Sequence, residues 1–179
     1  MSNRVVILRR LPASAAQTLA AAGLRVESLE RENSPPRDEL LARVAGCAAI
    51  LPTLAERIDA EALDAAGPEL RVVANYAVGF ENIDVAACTA RGVRVTNTPD
   101  VLTEATADLA WALILSAGRR IVEGDRWVRS GQWPGWGPTQ LLGLELSGAT
   151  LGIIGAGRIG SAVGRRGTVD VPAGARVID

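Results

Sequence analysis

Blocks of apolar residues alternate with amphipathic stretches through the first hundred positions. Residues 5–8 form a short continuous apolar run, the pattern of a strand buried on both faces. Residues 24–29, 47–51, 70–74 and 93–96 repeat it, giving five predicted strands. Between them the spacing predicts helices over 12–22, 37–44, 58–66 and 85–91. Gly23 stops the first helix, a Pro-rich turn fills 34–37, and Gly67-Pro68 stops the third helix. Strand–helix alternation with short loops predicts an α/β fold with a flavodoxin-like, doubly wound parallel sheet over residues 1–99.

Thr98 and Pro99 close that unit. Residues 103–120 are then predicted as the longest helix, capped by Thr103, with Glu104 at its positive end and Arg119 and Arg120 at its negative end. Leu102, Thr106, Leu109, Leu113 and Ala117 are predicted to line its buried face, broadened by Trp111 and Leu115. Residues 131–138 (GQWPGWGP) are loop by composition.

Composition narrows the chemistry. Hydrophobic residues make up 48% of 179 positions, enough for a core, and the net charge of −1 argues against a nucleic-acid or anionic-membrane surface. No apolar run approaches a membrane span and the first ten residues are no signal peptide, so a soluble cytoplasmic protein is expected. There is no histidine, which removes an imidazole acid/base from these residues, and all 19 basic residues are arginine, which removes Schiff-base and Walker A lysine chemistry. No metal site is expected. Cys47 and Cys88 are too far apart for a CxxC pair and are expected to be small buried apolar residues.

Residues 150–160 read TLGIIGAGRIG, an apolar strand expected over 151–154 running directly into G-x-G-x-x-G, with a helix free to begin at Arg158. In such a turn Gly155 permits the tight bend, Gly157 lets the backbone approach a diphosphate, and Gly160 allows close packing. The amides of Arg158, Ile159 and Gly160 at the helix start then face the phosphates. A Gly-rich turn with no ligand would look the same in isolation.

Four segments in this order, NYAVGFENID at 75–84, GVRVTNTPD at 92–100, VLTEATADLA at 101–110 and LGIIGAGRIG at 151–160, resemble the D-isomer-specific 2-hydroxyacid dehydrogenase family. LPTLAERID at 51–59 resembles its glyoxylate/hydroxypyruvate reductase branch, and the resemblance runs from about residue 5 to 166. It implies a substrate domain over 1–99 and the beginning of a Rossmann NAD(P)-binding domain over 100–179. It implies reduction of a small 2-oxo acid to a D-2-hydroxy acid with NAD or NADP, in a homodimer. Leu51, Val78 and Gly79 would bind substrate, with Thr53 nearby on the same rim. Thr106, Gly155, Gly157, Arg158, Ile159, Gly160 and Asp179 would bind cofactor. Ordinary core packing remains the plainer role for Leu51, a strand-end turn for Val78-Gly79, and a self-bonded helix threonine for Thr106.

The family's substrate-binding arginine, glutamate and proton-transferring histidine lie beyond the fingerprint, in sequence absent here, so these residues alone are expected to be inactive. Gly164, Gly167 and Pro172 are expected to interrupt the last helix. Val177-Ile178-Asp179 either ends a second strand in a ribose-binding acid, 19 positions after Gly160, or belongs to a tail of frameshifted or recombined origin. Phosphoglycerate or formate dehydrogenases, a non-catalytic nucleotide- or partner-binding remnant, and a fragment without function are the rival readings.

Overall fold

A computed structural model describes residues 2–167. The chain divides into two compact units, Met1–Pro99 and the part from Asp100 onward.

In the first unit, β1 (Arg4–Ile7), β2 (Arg25–Ser28), β3 (Ala49–Leu51), β4 (Val72–Ala74) and β5 (Arg94–Thr96) form one parallel sheet in the order β2-β1-β3-β4-β5. The expected flavodoxin-like architecture is present. Val5 opposes Ala49, and Ala49 opposes Val72, so the apolar runs of the three central strands stack in register. Val6, Ile50 and Val73 are fully buried, as are Leu8, Val44 and Ile58 around them. Four helices cover the sheet: α1 (Ala13–Ala21), α2 (Arg37–Val44), α3 (Ala60–Ala66) and α4 (Val85–Ala90). Asp59 caps α3 by accepting from the Ala62 amide, and Asp84 caps α4 by accepting from the Ala87 amide. Cys47 and Cys88 are both buried and unpaired, as expected, and burial pushes the Cys47 thiol up to about 11.

Residue 58 departs from the expected helix. Ile58 pairs in a parallel bridge with Ile83, its amide donating to the Asn82 carbonyl at 2.8 Å, and the helix starts only after the Asp59 cap.

The second unit contains α5 (Thr103–Gly118), α6 (Ile121–Arg129) and α7 (Arg158–Arg166). Four sequence expectations need correction here. Thr103 is the first helical residue of α5 and does not cap it; Leu102 stands at the cap with no side-chain bond. The predicted buried face is wrong, because Leu109 and Leu113 are 59% and 62% exposed. The packed face runs through Ala107, which is fully buried, and Trp111, whose Nε1 donates to the Val163 carbonyl at 2.8 Å. This helix is apolar nearly all round, so periodicity does not choose its inner face; the small side chains at 107 and 110 admit α7. Residues 121–129, given no element from sequence, form α6, entered through Arg120 in a left-handed conformation at φ 55°. Finally, Gly164 does not interrupt α7. It lies within the helix, with space for a Cβ at 3.4 Å from Ile153 Cδ1.

Residues 151–154 form no named strand, and Ile154 is 92% exposed. The strand expected over 151–154 is therefore reduced to a single bridge position at Ile154. No helix among the described residues is long and apolar enough to cross a membrane. Pro172 and Asp179 lie outside the described residues.

Candidate functional site

Parallel sheets gather ligand-binding groups at the carboxyl ends of their strands. β3 runs there into Leu51, Pro52 and Thr53, and β4 into Asn75 to Gly79. Leu51 is half-buried and helps line a cleft of about 370 Å³ with Pro12, Leu19 and Tyr76. The Tyr76 amide donates to the Pro52 carbonyl at 2.9 Å, which ties the two strand ends together.

The Val78-Gly79 turn is held by its carbonyls. Asn97 Nδ2 donates to the Val78 carbonyl and Asn75 Nδ2 to the Gly79 carbonyl, each at 2.8 Å. The amides of Val78 and Gly79 donate to no group among the described residues. Two consecutive N–H groups without an internal acceptor are donors available to a ligand oxygen. The Glu81 carboxylate lies against Gly79, where a Cβ would collide with it, so a glycine is needed at this position.

Beneath this turn sits a buried polar cluster. Glu56 is 1% exposed and accepts from Ser34 Oγ at 2.6 Å, from the Thr53 amide at 2.7 Å and from Thr53 Oγ1 at 2.8 Å. Arg9 Nε stands 3.8 Å from the same carboxylate. Asn82 Nδ2 donates to the carbonyls of Thr53 at 2.9 Å and Glu56 at 3.0 Å, and its Oδ1 accepts from Asn75 Nδ2 at 3.1 Å. No buried side-chain polar atom among the described residues lacks a partner. Sequence reasoning singled out Val78, Gly79, Leu51 and Thr53 but missed Glu56, Asn75, Asn82 and Asn97 as their supports. For Asn75 alone a signal was present, a polar residue directly after the apolar β4 run that must find partners.

In the second unit, the glycines behave as a dinucleotide turn requires. Gly155 takes φ 85°, a left-handed conformation open to glycine. A Cβ on Gly157 would meet nothing within 4 Å, so the space above it is clear. A Cβ on Gly160 would collide with the Gly155 carbonyl oxygen. Gly157 caps α7 without a side chain, and the first amides of the helix, at Arg158, Ile159 and Gly160, have no intrahelical acceptor. The turn therefore presents free N–H donors and the positive helix end with no side chain above Gly157. A cleft of about 500 Å³ borders Gly157, Arg158 and Ser161, with Arg158 Nη1 2.8 Å from Asp100 Oδ1. Thr106 is half-buried on α5, and its hydroxyl has no hydrogen-bond partner among the described residues.

These features define an α/β protein with two free strand-end amides in one unit and a glycine turn opening a helix in the other. The chain belongs to the D-isomer specific 2-hydroxyacid dehydrogenases, matching the catalytic domain of that family over residues 5–163. Within it, the chain falls in the glyoxylate reductase branch. It is 48% identical over 170 residues to a glyoxylate reductase of Thermococcus onnurineus, covering 93% of this chain and 50% of that protein. It is 51% identical over 146 residues to one of Aeropyrum pernix, covering 79% and 43%. Among solved structures, the TT0316 protein of Thermus thermophilus superposes with a TM-score of 0.87 at 50% identity, covering 91% of this chain and 52% of that one. An NADPH-dependent glyoxylate/hydroxypyruvate reductase of Sinorhizobium meliloti, in complex with NADP and malonate, gives 0.69 at 33% identity, covering 91% and 49%. The chain spans about half the length of the curated relatives it matches.

Proposed function

We propose that these residues are the substrate-binding half, and the opening of the cofactor-binding half, of an NAD(P)-dependent oxidoreductase that reduces glyoxylate or hydroxypyruvate to the D-2-hydroxy acid. The observation that carries this reading is the Val78-Gly79 turn, with its carbonyls engaged and its amides free. In the proposed complex those amides hold the substrate carboxylate, and Leu51 packs against the carbon chain. The amides of Arg158, Ile159 and Gly160 hold the diphosphate of NAD or NADP, with Gly155 and Gly157 keeping the approach clear and Thr106 beside the nicotinamide end. The bound nicotinamide supplies the hydride. With no histidine among the 179 residues, the proton at the carbonyl oxygen comes from a group outside them, and these residues alone do not turn over. Asp179 is assigned to the ribose on resemblance alone.

We assign residues 1–99 to substrate and 100–179 to cofactor, in a homodimer; exposed Leu109, Leu113 and Trp136 support such an interface. The malonate bound by the Sinorhizobium reductase fits an anion site of this kind. The test is a ¹⁵N–¹H NMR titration of the 179-residue chain with oxamate, a planar analogue of a 2-oxo acid. Saturable movement of the Val78 and Gly79 cross-peaks is expected. Movement confined to other residues would reject the assignment.

A further inference from the structure

Peptide groups at Thr53, Glu56 and Gly79 converge on one set of polar side chains of the first unit. Glu56 grips Thr53 by both its amide and its hydroxyl. Asn82 grips the Thr53 and Glu56 carbonyls with the same Nδ2. Asn75 Nδ2 donates one hydrogen to Asn82 Oδ1 and its other to the Gly79 carbonyl. The result is one continuous path: Ser34 and Arg9 to Glu56, Glu56 to Thr53 and Asn82, Asn82 to Asn75, Asn75 to Gly79.

We infer that Glu56, Asn82 and Asn75 form a positioning relay that fixes the Gly79–Phe80 peptide, and with it the end of the Val78-Gly79 turn, relative to the Leu51–Thr53 rim, while the Thr98 amide and Asn97 hold the Ala77 and Val78 carbonyls, whose peptides carry the two amides. The inference deepens the substrate reading given above and rests on it for the ligand. None of the three residues is placed against substrate. Each acts through a peptide group. An isolated turn of glycine and small residues would sample many orientations, and ordering each residue on binding costs about 1–2 kcal/mol. A relay buried to 1% at Glu56 and 2% at Asn75 meets that cost during folding. Burial makes Glu56 and Asn75 costly to leave unpaired, since either without its partner is an unsatisfied polar group in the core, whereas Asn82 is half-buried. Glu56 has a specific place in this scheme. Its carboxylate offers enough lone pairs to accept from Ser34, the Thr53 amide and the Thr53 hydroxyl together.

The test is carried out on the full 179-residue chain by ¹⁵N relaxation. Val78 and Gly79 should have order parameters near the rigid value of about 0.85 in the native chain. Asn82→Ala and Glu56→Ala should lower both below about 0.6 while Val5 to Ile7 of β1 keep native values. Glu56→Gln retains an oxygen for the Thr53 amide and should recover most of the order, which a mere loss of stability would not produce. Oxamate affinity at the same cross-peaks should fall at least tenfold in the two alanine variants and less than about threefold in Glu56→Gln, about 1.4 kcal/mol separating each tenfold step. Should an alanine variant fail to fold, Asn75→Ser shortens the side chain short of the Gly79 carbonyl with a smaller loss of volume, and must loosen the turn. Native order parameters in Asn82→Ala, or in Asn75→Ser, overturn the relay. A turn that loosens in the variants while oxamate moves neither cross-peak even in the native chain upholds the relay and removes the substrate reading instead.

Discussion

Gly160 and Gly164 lie one turn apart on α7, and the structure gives the same substitution opposite signs at the two positions. Replacing glycine by alanine inside a helix ordinarily stabilises it by about 1 kcal/mol. At Gly164 the added methyl would sit 3.4 Å from Ile153 Cδ1, close to ordinary contact, so most of that gain should survive. At Gly160 it would collide with the Gly155 carbonyl oxygen and stand 3.1 Å from the Gly155 carbonyl carbon. Backbone in a φ 85° turn cannot move aside as a side chain can. Overpacking of this kind costs about 1–3 kcal/mol, and contact with backbone places it at the upper end. The net effect is a destabilisation of about 2 kcal/mol, and the two variants should differ by about 3 kcal/mol. All four tryptophans (Trp111, Trp127, Trp133 and Trp136) lie in the second unit, so their fluorescence reports its unfolding selectively. With a urea dependence of about 1–3 kcal/mol per molar, the midpoints of Gly164→Ala and Gly160→Ala should separate by at least about 1 M. Midpoints displaced in the same direction would refute the packing argument.

Three further outcomes are expected. Cys47 and Cys88 should resist an aromatic disulfide reagent at pH 8 until the first unit unfolds, since both are fully buried and burial raises both thiol pKa values; rapid labelling of the native chain would contradict this. At Asp59, burial opposes the charge, but hydrogen bonds from Arg37 and the Ala62 amide outweigh it and hold the carboxyl below its ordinary value. Its stabilisation is therefore complete above the ordinary carboxylate range and is lost as pH falls through the lowered value. Unfolding followed at Tyr76, the single tyrosine, should show a shallower loss between pH 5 and pH 2 in Asp59→Asn than in the native chain, and equal slopes would contradict it. Glu81 has no ion-pair partner among the described residues and lies against Gly79. Glu81→Gln should therefore strengthen oxamate binding a few-fold, because a like charge a few ångströms from an anion costs about 1 kcal/mol in water; unchanged or weaker binding would place the anion elsewhere.

The sheet was legible because parallel strands buried on both faces leave continuous apolar runs, and Val5 to Ile7, Ile50 and Val73 are such runs. The second unit was less legible. With apolar residues on nearly every side of α5, its pattern did not distinguish the exposed Leu109–Leu113 stripe from the packed Ala107–Trp111 face. Arg119 and Arg120 look like a helix end, which they are, but the left-handed Arg120 at once starts α6, with Glu123 pairing back to it. In the candidate site, resemblance supplied Val78 and Gly79, and local geometry supplied the reason they suit an anion. Glu56, Asn75 and Asn82 escaped because their bonds join residues up to 29 positions apart, which no local pattern records.

The central claim is that residues 5–163 carry a working substrate grip and dinucleotide turn of a glyoxylate reductase. The most direct measurement joins residues 1–167 to the remaining C-terminal half of the Thermococcus onnurineus glyoxylate reductase and assays glyoxylate reduction with NADPH and NADH. The account predicts turnover by the joined protein. A folded chimera that binds the nicotinamide cofactor and leaves glyoxylate unreduced would contradict it.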